Sequence, residues 1–206
     1  MSTAAPSAIA SAAAEPSATG SAAADQPAAA AAPTARDRIL AVAGRLFYRD
    51  GYRAVGVDRV IAEAGVAKAT FYKHFPAKDD LIVAWIEHAA AQLRAALPPA
   101  SGPEPLYAYA DLMIDIAARE GCMGCTFQSG AAEFFDPGHP AHRAALAVKR
   151  DVLAELESRA AAQGLSDPRA AAERLFLLIE GVWASIRMFG PAAPLAHARA
   201  AVRRLA

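Results

Sequence analysis

The sequence predicts an all-α protein in two parts, and three observations carry that reading. Apolar residues recur at helical spacing in every long segment. No stretch shows the strict alternation of a half-buried strand. Glycine or proline stands where most of the stripes stop. The expected architecture is an N-terminal three-helix unit followed by a larger helical body.

Ahead of the first helix lies a segment of a different kind. Residues 1–35 are almost wholly Ala, Ser, Pro, Thr and Gly, with Glu15 and Asp25 as the only charges. Such a composition offers too little bulky apolar surface to offset the entropy of ordering, so a disordered tail is expected. It has neither the basic start and apolar run of a secretory signal nor the arginines of a transit peptide. No uninterrupted apolar run approaches the length that spans a bilayer. A cytoplasmic protein without a membrane partner is expected.

The first helix follows from the stripe Ile39, Val42, Ala43, Leu46 and Phe47, closed by Gly51. Val57, Val60, Ile61 and Ala64 make a second, closed by Gly65. A short third helix runs from about Lys68 to Phe75, where Pro76 stops it. The fourth spans about Lys78 to Leu97, with Asp79 and Asp80 at its positive end. Pro98 to Pro105 reads as a linker. Beyond it, helices are expected at Leu106–Glu120, Thr126–Phe135, about Pro140–Gln163, Asp167–Phe189 and Ala192–Leu205, with Asp167 as an N-cap and Pro168 in the first turn. The helix at 167–189 has two apolar faces. One is Leu175, Leu178, Ile179, Val182, Trp183 and Ile186, and the other is Leu177, Gly181, Ala184 and Met188. A helix apolar on two sides is buried on two sides, either as the central core helix of a monomer or, as small residues near the chain terminus favour, at a subunit interface.

The net charge of zero conceals an asymmetry. Nine bases stand against six acids between Arg36 and Asp80, and the rest of the chain is slightly acidic. A small basic module on a faintly acidic body suits local phosphate binding. Within that module two short helices joined by a glycine turn match the helix-turn-helix, whose second helix enters the DNA major groove. Phe71 and Phe75, four residues apart, face inward. Ala69, Thr70 and Lys73 then point outward, with Tyr72 and His74 at the edges. A small residue permits close approach to DNA, while the hydroxyl, ammonium and imidazole reach phosphates or base edges. Two helix N-termini, near Lys68 and Lys78, add anion-binding ends. His74 has no local partner for catalysis, and no enzyme is expected.

GYRAVGVDRVIAEAGVAKATFYKHFPAKDDLI resembles the DNA-binding domain of the TetR family of bacterial transcriptional regulators. The resemblance rests on Phe-x-x-x-Gly-Tyr at Phe47–Tyr52, the Ile61-Ala62 to Gly65-Val66 turn, and Thr70-Phe71-Tyr72-x-His74-Phe75 followed by Lys78. It covers about residues 36–90. It implies DNA contact through Lys68, Ala69, Thr70, Tyr72, Lys73, His74 and Lys78, within a domain at 36–80 whose motif spans about 57–75. It further implies a homodimer on a palindromic operator in double-stranded DNA. The body at 81–206 would bind a small-molecule inducer, and the chain would act as a repressor. Two positions depart from the family pattern. Val55 and Gly56 stand where Thr or Ser often opens the second helix, and Ala77 stands where Ser often precedes the fourth.

The remaining chemistry lies in the body. Cys122 and Cys125, with His139 and His142, give C-x2-C-x13-H-x2-H, close to a zinc pattern, but the histidines are spaced too tightly and no ββα pattern surrounds them. A redox dithiol is the other reading, since Cys125 stands near a helix start. Two buried thiols are the plain alternative. No cofactor or bound metal is expected, and a helical thiol or zinc protein without operator binding stays open as the second reading. For an inducer cavity the candidates are Trp85, Met113, Cys125, Phe127, Trp183 and Arg187, with Phe134 and Phe135 beside them. Arg187 would bind an anionic inducer or pair with Glu180.

Overall fold

A computed structural model describes residues 32–205 of the chain, and those residues are helical throughout apart from their turns. The helices are α1 (Ala35–Asp50), α2 (Val57–Ala64), α3 (Lys68–His74), α4 (Lys78–Ala96), α5 (Pro105–Ala117), α6 (Thr126–Glu133), α7 (Pro140–Ala162), α8 (Pro168–Phe189) and α9 (Ala198–Leu205). The expected disordered tail lies, for residues 1–31, outside the described residues. Its last residues belong to the fold. Thr34 caps α1, its hydroxyl accepting from Asp37 N–H at 3.2 Å while the Asp37 carboxylate accepts from Thr34 N–H at 3.0 Å.

The three N-terminal helices pack as their spacing dictates. Ile39, Ala43, Leu46 and Phe47 of α1 are buried, and Val60, Ala64 and Phe71 close on them. Each of the larger side chains among them, fully buried, contributes about 1.5–3 kcal/mol. Gly65 holds φ at +62°, the left-handed turn that ends α2 and sets the direction of α3. α4 crosses α1 very closely. A Cβ on Gly44 would stand 2.2 Å from the Trp85 ring, so the indole occupies the space a side chain would fill.

In the body α8 packs against α5, α7 and α9, and its principal neighbour is α7. Leu175, Ile179, Val182, Trp183 and Ile186 of α8 are buried, as the first apolar face requires. The second is not covered. Leu177 and Met188 are each 70% exposed, and Phe189 is also exposed. With the turn after it, α8 is long and apolar enough by composition to cross a membrane, yet it carries Glu180 and Arg187 and packs against other helices.

Two boundaries differ from expectation by several residues. α5 stops at Ala117 rather than Glu120, because the chain turns through Gly121 and Gly124, both at positive φ. α9 begins at Ala198 rather than Ala192. Ala193 precedes Pro194, whose ring disfavours the helical region for its neighbour, and Ala193 sits at ψ 138°. The 98–105 connection is tethered by the buried Arg159, which donates to Pro98 O at 2.8 Å and Pro105 O at 3.2 Å.

Candidate nucleic-acid interface and ligand cavity

On α3, Phe71 and Phe75 are buried while Lys68, Ala69, Tyr72, Lys73 and His74 are exposed and Thr70 is half-buried. The two-sidedness follows from the four-residue spacing of the phenylalanines, whose rings lie 5.9 Å apart. Most arginines of the module serve the module itself. Arg59 joins Asp50 at 2.7 Å and Glu63 at 3.0 Å, Arg45 joins Glu63 at 2.7 Å, and Arg49 joins Asp50 at 2.7 Å. Hydrogen bonds from Arg49 and Arg59 hold the Asp50 carboxyl well below its usual range, and Arg59 and Arg45 do the same for Glu63. This network staples α1 to α2. Lys68 has only a loose, exposed partner in Asp58 at 3.3 Å. Lys73 has no acidic partner among the described residues. Lys73 thus leaves positive charge unpaired on α3.

Lys78 is differently placed. Its ammonium donates to Arg53 O at 3.0 Å, and burial lowers its pKa. Arg53 is held in turn by α6, because the Glu133 carboxylate accepts the N–H groups of Tyr52 at 3.0 Å and Arg53 at 2.8 Å. At the start of α4, where a serine hydroxyl is missing, the Asp80 carboxylate takes the Ala77 N–H at 2.9 Å.

The body contains a small cavity among α4, α5, α6, α7 and α8. Its walls include Leu93, Tyr109, Met113, Ile116, Cys125, Phe127, Lys149, Val152, Ile179, Glu180 and Trp183, and its free volume is about 30 Å³. A larger neighbour, about 170 Å³, lies between α4, α5 and α7 and shares Leu93, Tyr109 and Val152 with it. Of the candidates, Met113, Cys125, Phe127 and Trp183 line the same cavity. Trp85 does not join them. It is committed to Gly44 and reaches the Thr126 hydroxyl at 3.4 Å. Arg187 is exposed and donates to Met123 O at 3.1 Å, so it pairs with neither Glu180 nor the cavity. Phe135 is 81% exposed, and Phe134 stacks on His139 at 4.2 Å.

Glu180 instead bonds Lys149, a wall residue that sequence reasoning missed. Lys149 stands beside Arg150 on a helix of mixed charge, where a lysine reads as solvated, and no local signal marks it. The histidines of the zinc-like pattern are engaged elsewhere. His139 faces Asp79 at 3.4 Å, and His142 Nδ1 lies 2.8 Å from Phe134 O. Cys122 and Cys125 are free and buried.

The cavity is tied to the helix-turn-helix module by its own lining. Gly124 and Cys125 belong to the loop before α6. The Tyr48 hydroxyl on α1 accepts from Met123 N–H at 2.7 Å and donates to Gly124 O at 3.1 Å. The Tyr52 hydroxyl lies 2.7 Å from that of Thr126.

A helix-turn-helix with a basic, outward-facing second helix, carried on a helical body, defines a DNA-binding regulator by class. The family model described as bacterial regulatory proteins, tetR family, matches residues 39–85. A TetR-family transcriptional regulator of known structure from Streptomyces coelicolor, SCO4454, is 37% identical. That match covers 83% of this chain and 95% of the other, with a TM-score of 0.74. A TetR-type regulator from Streptomyces avermitilis is 31% identical over 82% of this chain and 98% of its own, at a TM-score of 0.68. The HTH-type transcriptional regulator LmrA of Bacillus subtilis is 26% identical over 66% of this chain and 76% of its own. The chain belongs to the TetR family and is a DNA-binding transcriptional regulator.

Proposed function

We propose that the protein is a cytoplasmic repressor. It binds a palindromic operator as a homodimer and leaves it when a small molecule occupies the cavity of the body. Residues from about 36 to 80 form the DNA-binding part, with Lys68, Ala69, Thr70, Tyr72, Lys73 and His74 on the groove-facing helix and Lys78 at its flank. Residues 81–206 form the ligand-binding and dimerising part.

The observation that carries this reading is the hydrogen-bonded seam between Tyr48 and the loop Met123–Gly124. That loop lines the cavity on one side and grips α1 on the other. A cavity of about 30 Å³ admits no molecule of metabolite size unless its walls move. Occupancy therefore displaces the same backbone that holds α1, and a displacement of α1 re-aims α3. The exposed apolar strip of Leu177, Met188 and Phe189 on α8 supports pairing with a second copy.

Selection from random-sequence DNA with the purified protein tests the reading. The expected product is an inverted repeat whose half-sites lie about one helical turn apart, bound with steep salt dependence by a dimer in sedimentation. Recovery of no preferred sequence, or of a monomer on DNA, overturns it.

A further inference from the structure

We infer that the cavity selects an uncharged, ring-bearing apolar molecule, and that Lys149 and Glu180 set this selectivity by cancelling one another in its wall. The inference deepens the ligand-responsive reading above and rests on it.

The walls are mainly aliphatic and aromatic, and Lys149 and Glu180 are the two formally charged residues among them. Both side chains are largely buried, 17% and 22% exposed, and they are bonded to each other. Both are engaged by further partners as well. The second carboxylate oxygen of Glu180 accepts from Gln128 Nε2 at 2.9 Å. The Lys149 ammonium also reaches Cys125 Sγ at 3.5 Å and lies over the Phe127 and Phe176 rings at 6.0 and 5.8 Å. Burial pulls the ammonium pKa down, but Cys125 and Glu180 beside it outweigh that, so it stays charged at neutral pH.

An anionic ligand entering here loses its hydration and finds Lys149 already neutralised. A cationic ligand meets the same obstacle at Glu180. Either must break a buried pair and leave one member uncompensated, which costs far more than an uncharged ligand of the same shape incurs. Apolar rings gain contact with Phe127, Tyr109 and Trp183 without that penalty. Room for such a ring comes from the adjoining cavity of about 170 Å³, once Leu93, Tyr109 or Val152 of the shared wall moves. The charged residues of that second wall are paired as well, Arg94 with Asp151 at 3.8 Å and Glu155 with Arg159 at 2.7 Å.

The test uses three probes of one shape on the full chain: 2-naphthalenemethanol, 2-naphthoate and 2-naphthylmethylammonium. Binding is measured by titration calorimetry. The alcohol is expected to bind more tightly than either ion by about tenfold or more. Glu180→Gln should turn the preference towards naphthoate by freeing Lys149, and Lys149→Met should turn it towards the ammonium. If a single variant fails to fold, Lys149→Met/Glu180→Gln removes both charges together and should keep the preference for the alcohol. Tighter binding of either ion by wild type, or a doubly neutral variant that prefers an ion, overturns the charge inference and leaves the cavity a ligand site. Binding of none of the three by folded, DNA-competent protein removes the ligand site itself.

Discussion

The hydroxyl of Tyr48 lies 2.7 Å from the backbone nitrogen of Met123, 75 residues away in sequence, and 3.1 Å from the carbonyl of Gly124, so it joins the first helix of the helix-turn-helix module to a loop that lines the cavity of the body. Tyr48→Phe keeps the ring and deletes only the oxygen. Met123 N–H and Gly124 C=O then lose their shared partner, and an unsatisfied buried backbone group costs about 1–3 kcal/mol. Urea unfolding should show a loss of that order with an unchanged m-value. If the seam carries the signal, the variant should also respond less to ligand in operator-binding titrations. A full response in a destabilised variant would assign Tyr48 to stability alone.

Lys73 and Thr70 test the groove-facing helix. Lys73→Ala should weaken operator binding and flatten the plot of log affinity against log salt by about one unit, the signature of one lost phosphate contact. Thr70→Ala should weaken binding with a smaller change in slope. Both should leave helicity and dimerisation intact, because neither side chain belongs to the core. Unchanged isotherms in both variants would move the interface off α3.

Gly44 faces Trp85 so closely that even one methyl group is excluded. Gly44→Ala places a carbon 2.2 Å from a rigid indole, not from the end of a flexible chain. Either α1 and α4 separate or the ring tilts, and overpacking of this kind destabilises by about 1–3 kcal/mol. The midpoint of thermal unfolding should fall, against the small gain that Gly→Ala brings to an open helix position.

Asp50 and Glu63 predict how the DNA-binding module responds to acid. Their arginine partners hold both carboxyls below the ordinary values of 3.8 and 4.5. A carboxyl with a depressed folded-state pKa adds stability that is complete above its unfolded pKa and is lost as pH falls through the folded one. The network should therefore act fully at pH 6 and fade below about pH 4. Arg59→Ala removes a shared partner and should flatten the dependence of stability on pH in that window. An identical acid profile for variant and wild type would show that the pairs are screened by solvent.

Cys125 opens α6 with its sulfur 3.5 Å from the Lys149 ammonium, while Cys122 lies 3.6 Å from the Tyr48 hydroxyl. Both thiols are buried, so alkylation should be slow in the native protein. Of the two, Cys125 should react first, because it borders the cavity and has a cation beside it. Lys149→Met should slow that reaction. Peptide mapping after timed iodoacetamide treatment reads both rates, and equal rates at the two cysteines would remove any special role for Cys125.

The helix-turn-helix fold of this protein was legible in the sequence because its signals are local. Phe71 and Phe75 decide which side of α3 faces inward, Gly65 decides where α2 ends, and Asp167 with Pro168 marks the start of α8; none needs a distant residue to be recognised. The wall of the cavity was legible only in part. Met113, Cys125, Phe127 and Trp183 declared themselves by type, whereas Trp85 and Arg187, equally plausible by type, are claimed by Gly44 and by Met123 O. Lys149 and Tyr48 gave no sign at all. A lysine on a helix of mixed charge has the same local pattern whether water or Glu180 receives it, and its partner stands 31 residues away. Spacing along the chain specifies which face of a helix turns inward. Which buried polar group meets which depends on how α1, α6, α7 and α8 pack, and that arrangement exists only once the apolar faces have closed.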